Sequence, residues 1–268
     1  MTALAHFVAV SCYLAATAAA AMPFARSVAP PLRLVVLALA AGVFVHLMGL
    51  AGAARELGTV PLTGLGAALS LAGLVLALIL LSAELLAREV TLTLVAAPMA
   101  AFATAMGPLT GLAPSMQTSG AQAAWLGSHI VLGLVGIAAY ATAAAAGTMY
   151  LVEHRELRSR RFGAVFRFFP PLATLDRLNF GSALLGWIVL TVGVVLAVLY
   201  SVTYRTLDVA QSIWGVGAWL SLTAVVLGRL VWGMQARRAA MVSLVSFGMV
   251  MMAYVAVRIS LTSSGRFL

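Results

Sequence analysis

The sequence has no lysine, only seven carboxylates and a single cysteine, Cys12, among its 268 residues. One cysteine allows no intramolecular disulfide and no cysteine-based metal site. Charged residues make up 9% of the chain against 63% hydrophobic, where a soluble domain carries about 25% charged residues. The net charge of +9 comes from 16 arginines. These punctuate apolar runs instead of clustering beside stacking aromatics on a wet surface, so no nucleic-acid interface is expected. No Walker-type loop, no Gly-x-Gly-x-x-Gly opening a helix and no nucleophile–base–acid set is present. Nor are there the carboxylate pairs that hold coupling ions in transporters. These absences lean away from an enzyme and leave the question open on the sequence.

What is present is a series of long apolar runs. A spanning helix needs about 20 mostly apolar residues, and qualifying runs lie near 2–23, 32–54, 62–87, 90–107, 124–152, 179–201, 211–234 and 239–262. The expectation is an all-α, polytopic membrane helical bundle of about eight transmembrane helices, a single integral membrane domain over 1–268. The fourth run is short and holds Pro98, so seven helices plus a re-entrant segment is the alternative there. The first run has no positive residue ahead of it, as a signal peptide would, and reads as a retained helix. Counting alternate sides from an outer amino terminus puts twelve arginines inside and four outside, so the positive-inside rule places both termini outside. The expected setting is a bacterial inner membrane, with membrane lipid as the general partner.

The longest connection, Glu153 to Leu178, reads as a cytoplasmic loop lying along the membrane. It holds Arg155, Arg158, Arg160, Arg161 and Arg167 among four phenylalanines. Arginines there can snorkel against headgroups or form a docking surface for a partner.

Ionisable groups at membrane depth each require an account. Glu84 has Arg88 four residues on, one helix face apart, and reads as a structural ion pair. His6, His46 and His129 all fall in the outer half of the bilayer in the assigned topology, with His46 about 12 Å below the surface end of its helix. His154 falls among cytoplasmic charges. Imidazole in a membrane can bridge helices, relay protons or ligate a metal or haem iron. Zinc would want more nitrogen, oxygen or sulfur ligands than Glu56 and Asp208 add. Haem needs only one or two axial imidazoles in an apolar pocket, which suits this composition better.

From Trp125 onward a set of motifs accumulates: Trp125-Leu-Gly-Ser-His129, Ala139-Tyr140, Pro170-Pro171-Leu172, Leu175-Asp176-Arg177-Leu178, Leu190-Thr191-Val192-Gly193, Trp219-Leu220, Leu227-Gly228-Arg229, Arg237-Arg238-Ala239-Ala240 and Phe247 to Tyr254. Their order and spacing resemble the membrane cytochrome c assembly family of the CcsA and CcmC type, and particularly its HemX-like or YpjD-like branch. The resemblance is strongest over 124–262. It implies haem handling near the outer leaflet, with His129 as an axial ligand, His46 as the candidate second ligand and His6 as a weaker one. It also implies apocytochrome c or another cytochrome c assembly subunit as partner. The HemX-like branch implies an alternative, a membrane regulator or scaffold for glutamyl-tRNA reductase acting through the arginine-rich loop. Three departures stand out. The histidine that full assembly proteins carry within the seventh helix is replaced around Leu227. The family's Trp-rich signature should fall within Ser201 to Ser212, which holds no tryptophan, and Ser264-Gly265-Arg266-Phe267 stands where a second outer histidine is expected. A small-solute transporter or a respiratory subunit is the remaining reading.

Overall fold

The computed structural model describes residues 2–26, 31–87, 91–113, 120–160, 168–205 and 209–263. Within them lie eight helices: α1 (Thr2–Arg26), α2 (Leu32–Leu57), α3 (Leu65–Ala87), α4 (Thr91–Thr110), α5 (Gly120–Arg158), α6 (Leu172–Tyr204), α7 (Val209–Leu230) and α8 (Ala236–Ser263). Each is long and apolar enough to cross a membrane, which is the expected polytopic bundle. The fourth run resolves as one continuous helix across Pro98. Its 20 residues rise about 30 Å, the thickness of the hydrocarbon core, so it needs no re-entrant geometry.

The structure corrects the expected loop from Glu153 to Leu178. Helix α5 continues to Arg158 and α6 begins at Leu172. At 39 and 33 residues these helices rise about 58 and 50 Å, well beyond the hydrocarbon core. Charge alone does not end a helix once its polar residues leave the lipid, and Glu153, Arg155, Glu156 and Arg158 have good helix propensity. The turn-forming Pro170-Pro171 pair sets the start of α6: the Pro171 carbonyl accepts the Thr174 amide at 2.7 Å.

The helices group into two compact units. In the first, formed by residues 1–114 with 152–174, α1 packs on α2 and α4, while α3 packs on α4 and α2. Gly42 of α2 faces Tyr13 of α1 and Gly49 faces His6, so the two helices run antiparallel in a fixed register. Gly66 and Gly73 of α3 lie against the backbone of α4 at Gly107 and Ala100, and Gly66 also against Gly111 just past its end. Such close approach is how helices gain packing energy in lipid, where no hydrophobic force drives them together.

In the second unit, residues 115–151 with 175–268, α5 and α6 are laced antiparallel by polar rungs. Gln122 donates to Tyr200 Oη at 2.9 Å, the Trp125 indole to Leu196 O at 3.2 Å, and Asn179 to Ala143 O at 2.7 Å. Helix α7 joins through Trp187 to Thr223 (2.8 Å) and Trp219 to Thr191 (2.9 Å), and α8 through Trp214 to Val250 O (2.9 Å). Tyr140 of α5 contacts Ser221 of α7 and Ser246 of α8, with Phe247 set edge-on to its ring at 5.4 Å.

A side chain at Gly73 would place its Cβ 2.8 Å from Ala100 O and 2.9 Å from Thr104 N, where backbone cannot give way. Gly73→Leu is expected to destabilise the first unit by about 1–3 kcal/mol, read as a lower midpoint in a detergent thermal-unfolding assay. Gly181→Ala, with nothing within 4 Å of its Cβ, should leave the midpoint nearly unchanged.

Candidate functional site

The three histidines at membrane depth fall into two settings. In the first unit, His6 and His46 are brought together with two residues that the sequence did not single out, Ser70 and Tyr13. All four are wholly buried. The His6 and His46 rings stand edge to face, 5.1 Å between centroids. Ser70 Oγ lies 3.0 Å from His6 Nε2 and 2.9 Å from His46 Nε2. The outward nitrogen of each ring is also engaged: His6 Nδ1 with Thr2 O at 2.8 Å, and His46 Nδ1 with Tyr13 Oη at 3.2 Å.

Elementary hydrogen-bond chemistry fixes every proton in this chain. A carbonyl only accepts, so His6 Nδ1 carries hydrogen and donates to Thr2 O. A neutral imidazole then presents a lone pair at Nε2, which accepts from the Ser70 hydroxyl. Ser70 has one hydrogen and has spent it, so its oxygen accepts from His46 Nε2–H. That leaves His46 Nδ1 as an acceptor for the Tyr13 hydroxyl. The two rings are therefore opposite tautomers. The neutral form is the one a wholly buried site favours, because an unpaired charge in hydrocarbon costs several kcal/mol.

The neighbouring helices make room for this cluster. A Cβ at Gly49 would stand 3.0 Å from His6 Nδ1, one at Gly42 would meet the Tyr13 ring at 2.5 Å, and one at Gly107 would meet Ser70 Cβ at 2.8 Å. Each polar member except His46 thus lies opposite a glycine on an adjacent helix. Glu84 forms a separate buried contact, accepting from Thr93 Oγ1 of α4 at 2.5 Å. Its expected partner Arg88 lies outside the described residues.

His129 belongs to the second unit. It is partly buried in the third turn of α5, and its Nδ1–H donates to Gly193 O of α6 at 2.9 Å. Gly193 accepts because α5 and α6 approach closely there, with Gly133 N only 3.8 Å from where a Gly193 Cβ would be. This bond fixes the ring and leaves the lone pair on Nε2, which is how metal-bound histidines are commonly held by a backbone carbonyl. One turn nearer the start of α5, Trp125 meets Tyr200 and Tyr204 edge-on at 6.5 and 6.2 Å. Of the arginines proposed to meet a partner, Arg155, Arg158 and Arg160 are exposed at the end of α5, while Arg161 and Arg167 lie outside the described residues. Among the described residues no group of three histidine, cysteine or carboxylate side chains is placed to hold a metal ion.

Several of the motif residues meet in the second unit. Arg229 pairs with Asp176 at 2.7 Å, stacks over Phe180 at 5.5 Å and donates to Met234 O at 3.2 Å. The pair ties the Leu175-Asp176-Arg177-Leu178 segment to Leu227-Gly228-Arg229.

The tautomer assignment is open to direct measurement. In ¹⁵N-histidine spectra of the detergent-solubilised protein, one buried ring is expected as the Nδ1–H form and the other as Nε2–H. Tyr13→Phe should perturb the His46 signals first and cost about 1–2 kcal/mol, the usual effect of leaving a buried acceptor unpaired. Two rings of the same tautomer, or an imidazolium at neutral pH, would contradict the chain.

Comparison with protein families finds a match to the model described as cytochrome C assembly protein, over residues 59–263. A comparison with curated proteins finds no match.

Proposed function

Since the chain belongs to the cytochrome c assembly protein family and its role lies in cytochrome c biogenesis, we propose that it handles haem through His129. The observation that carries this reading is the His129 ring, held by Gly193 O with Nε2 left for iron. An axial imidazole wants this support: a carbonyl on the far nitrogen fixes tautomer and orientation and raises ligand basicity. In this reading the protein's contribution is binding and presentation. In the topology the arginines favour, this end of α5 faces the outer side of a bacterial inner membrane, where apocytochrome c or another assembly subunit would receive the haem.

Haem bound here would supply the iron and the porphyrin edge to which cytochrome c is joined. This chain's own residues would hold it, keep water from it and offer it at the surface. His46 and His6, which the family resemblance implies as second and weaker ligands, lie in the first unit and are not part of this reading. Both have their ring nitrogens engaged, so either would have to surrender a hydrogen bond, most simply that to Ser70. His129 needs no such exchange and is the primary ligand in this reading.

The test is a visible absorption spectrum of the purified protein, before and after dithionite. A Soret band with sharp reduced α and β bands, lost in His129→Ala, is the expected result. Stoichiometric haem in the His46→Ala, His129→Ala double variant would overturn the reading.

The exposure of Arg155, Arg158 and Arg160 favours a second role, a cytoplasmic docking end for glutamyl-tRNA reductase. Affinity capture with the full-length protein in mild detergent should then recover the reductase, and replacing the three arginines by alanine should abolish recovery. Equal recovery with the triple variant would count against this role.

A further inference from the structure

Of the five tryptophans, four donate their indole N–H within the bundle: Trp125 to Leu196 O, Trp187 to Thr223, Trp214 to Val250 O and Trp219 to Thr191. Trp232 is the exception. It stands 71% exposed in the turn between α7 and α8, beside Leu230 at 61% and Val231 at 66%. Among the described residues its indole N–H has no partner. The turn itself is braced. Val231 N donates to Leu227 O and Met234 N to Gly228 O, each at 2.8 Å, and Gly233 takes a φ of +58°. The Met234 side chain occupies the space that a Cβ at Gly228 would fill. Arg229, already paired with Asp176, donates to Met234 O at 3.2 Å. The tie from α7 to α6 thus also fixes the turn that holds this tryptophan outward.

Charge at this turn is one-sided. Arg237 and Arg238 follow Trp232 closely and are both exposed, and among the described residues no side chain pairs with either. No Asp or Glu occurs between Val209 and Leu268, and Asp176 is committed to Arg229. The 22 residues of α7 rise about 33 Å, the full thickness of the hydrocarbon core. The turn therefore lies at the boundary between acyl chains and headgroups. In water its three large apolar side chains would stay hydrated at a cost, and inside hydrocarbon its two unpaired guanidinium groups would be expensive. An anionic phospholipid supplies what each half lacks. We propose that the α7–α8 turn binds the headgroup of an anionic phospholipid. Arg237 and Arg238 meet the phosphate charge, the Trp232 indole N–H donates to a phosphate or ester oxygen, and Leu230 and Val231 lie against the acyl chain.

The two kinds of residue have separable roles. The apolar side chains and the indole serve any phospholipid, because every one has acyl chains, esters and a phosphate. The arginines set the preference for net negative charge. A basic residue at an anionic membrane surface is worth about fivefold in binding, so the pair accounts for about 25-fold. Added salt reduces this preference, since both guanidinium groups are exposed. Arginine also suits the task in shape, offering parallel N–H donors to phosphate oxygens. The site shares no residue with the His129 setting and is independent of haem.

The test is native mass spectrometry of the full-length, detergent-purified protein with phosphatidylglycerol or phosphatidylcholine, giving a binding constant for the first lipid of each kind. Tighter binding of phosphatidylglycerol by the wild type is expected. Arg237→Gln combined with Arg238→Gln should weaken phosphatidylglycerol about 25-fold and leave phosphatidylcholine unchanged. Trp232→Phe keeps a ring without the N–H and should weaken both lipids alike. These variants should keep the wild-type unfolding midpoint in lipid-free detergent, because the side chains they alter have no partner among the described residues. Replacing Arg155, Arg158 and Arg160 by glutamine should leave the lipid preference in place, which locates it at the α7–α8 turn. Equal constants for the two lipids in the wild type would overturn the proposal. So would an undiminished preference in the Arg237, Arg238 variant, its loss in the Arg155, Arg158, Arg160 variant, or wild-type binding by Trp232→Phe. Displacement of phosphatidylglycerol by excess inorganic phosphate would also overturn it, by making the turn a site for free phosphate.

Discussion

Water is absent from the hydrocarbon core of a membrane, so each backbone polar group carried into it must find its partner inside the protein, and polar side chains gain by finding one. The helices are one consequence, since they satisfy the backbone within each segment. The placement of the side chains is the other. Asn179 reaches Ala143 O, four tryptophans donate their indole N–H across or onto neighbouring helices, and Arg229 pairs with Asp176. Even a buried pair of histidines is accommodated without charge, by alternating donor and acceptor from Tyr13 to Thr2. The fifth tryptophan, Trp232, lies exposed in the turn between α7 and α8, a position suited to an interfacial ring.

The same constraint explains why glycine recurs at contacts. Short polar side chains reach across helices most readily where backbones come close, and a missing Cβ lets them come close. His129 finds Gly193 O because α5 and α6 approach there, and His6 fits because α2 presents Gly49. Packing and chemistry are thus set by the same residues. Motif residues such as Tyr140, Asp176 and Arg229 likewise serve as ties between helices.

Much of this was legible in the sequence. Run lengths and breaks placed eight helices, because lipid imposes a length that hydrophobicity reports directly. The ends of α5 and α6 were not legible, since a charged amphipathic turn looks like a loop when only hydropathy is read. His6, His46 and His129 were recognisable as costly groups. Their pairing was not, because it depends on which helices touch. A signal did exist: His6 and Tyr13 are seven residues apart on α1, and Gly42 and Gly49 are seven apart on α2, so an antiparallel pair would match them. Ser70 carried no such mark, a lone hydroxyl in an apolar run that usually bonds its own helix.

The account stands or falls on His129 serving cytochrome c biogenesis. The most direct measurement is covalent haem on c-type cytochromes in cells lacking the native gene and supplied with wild-type or His129→Ala protein at matched membrane levels. The account predicts that wild type restores haem-stained cytochrome c and that His129→Ala does not. Full restoration by His129→Ala would contradict it.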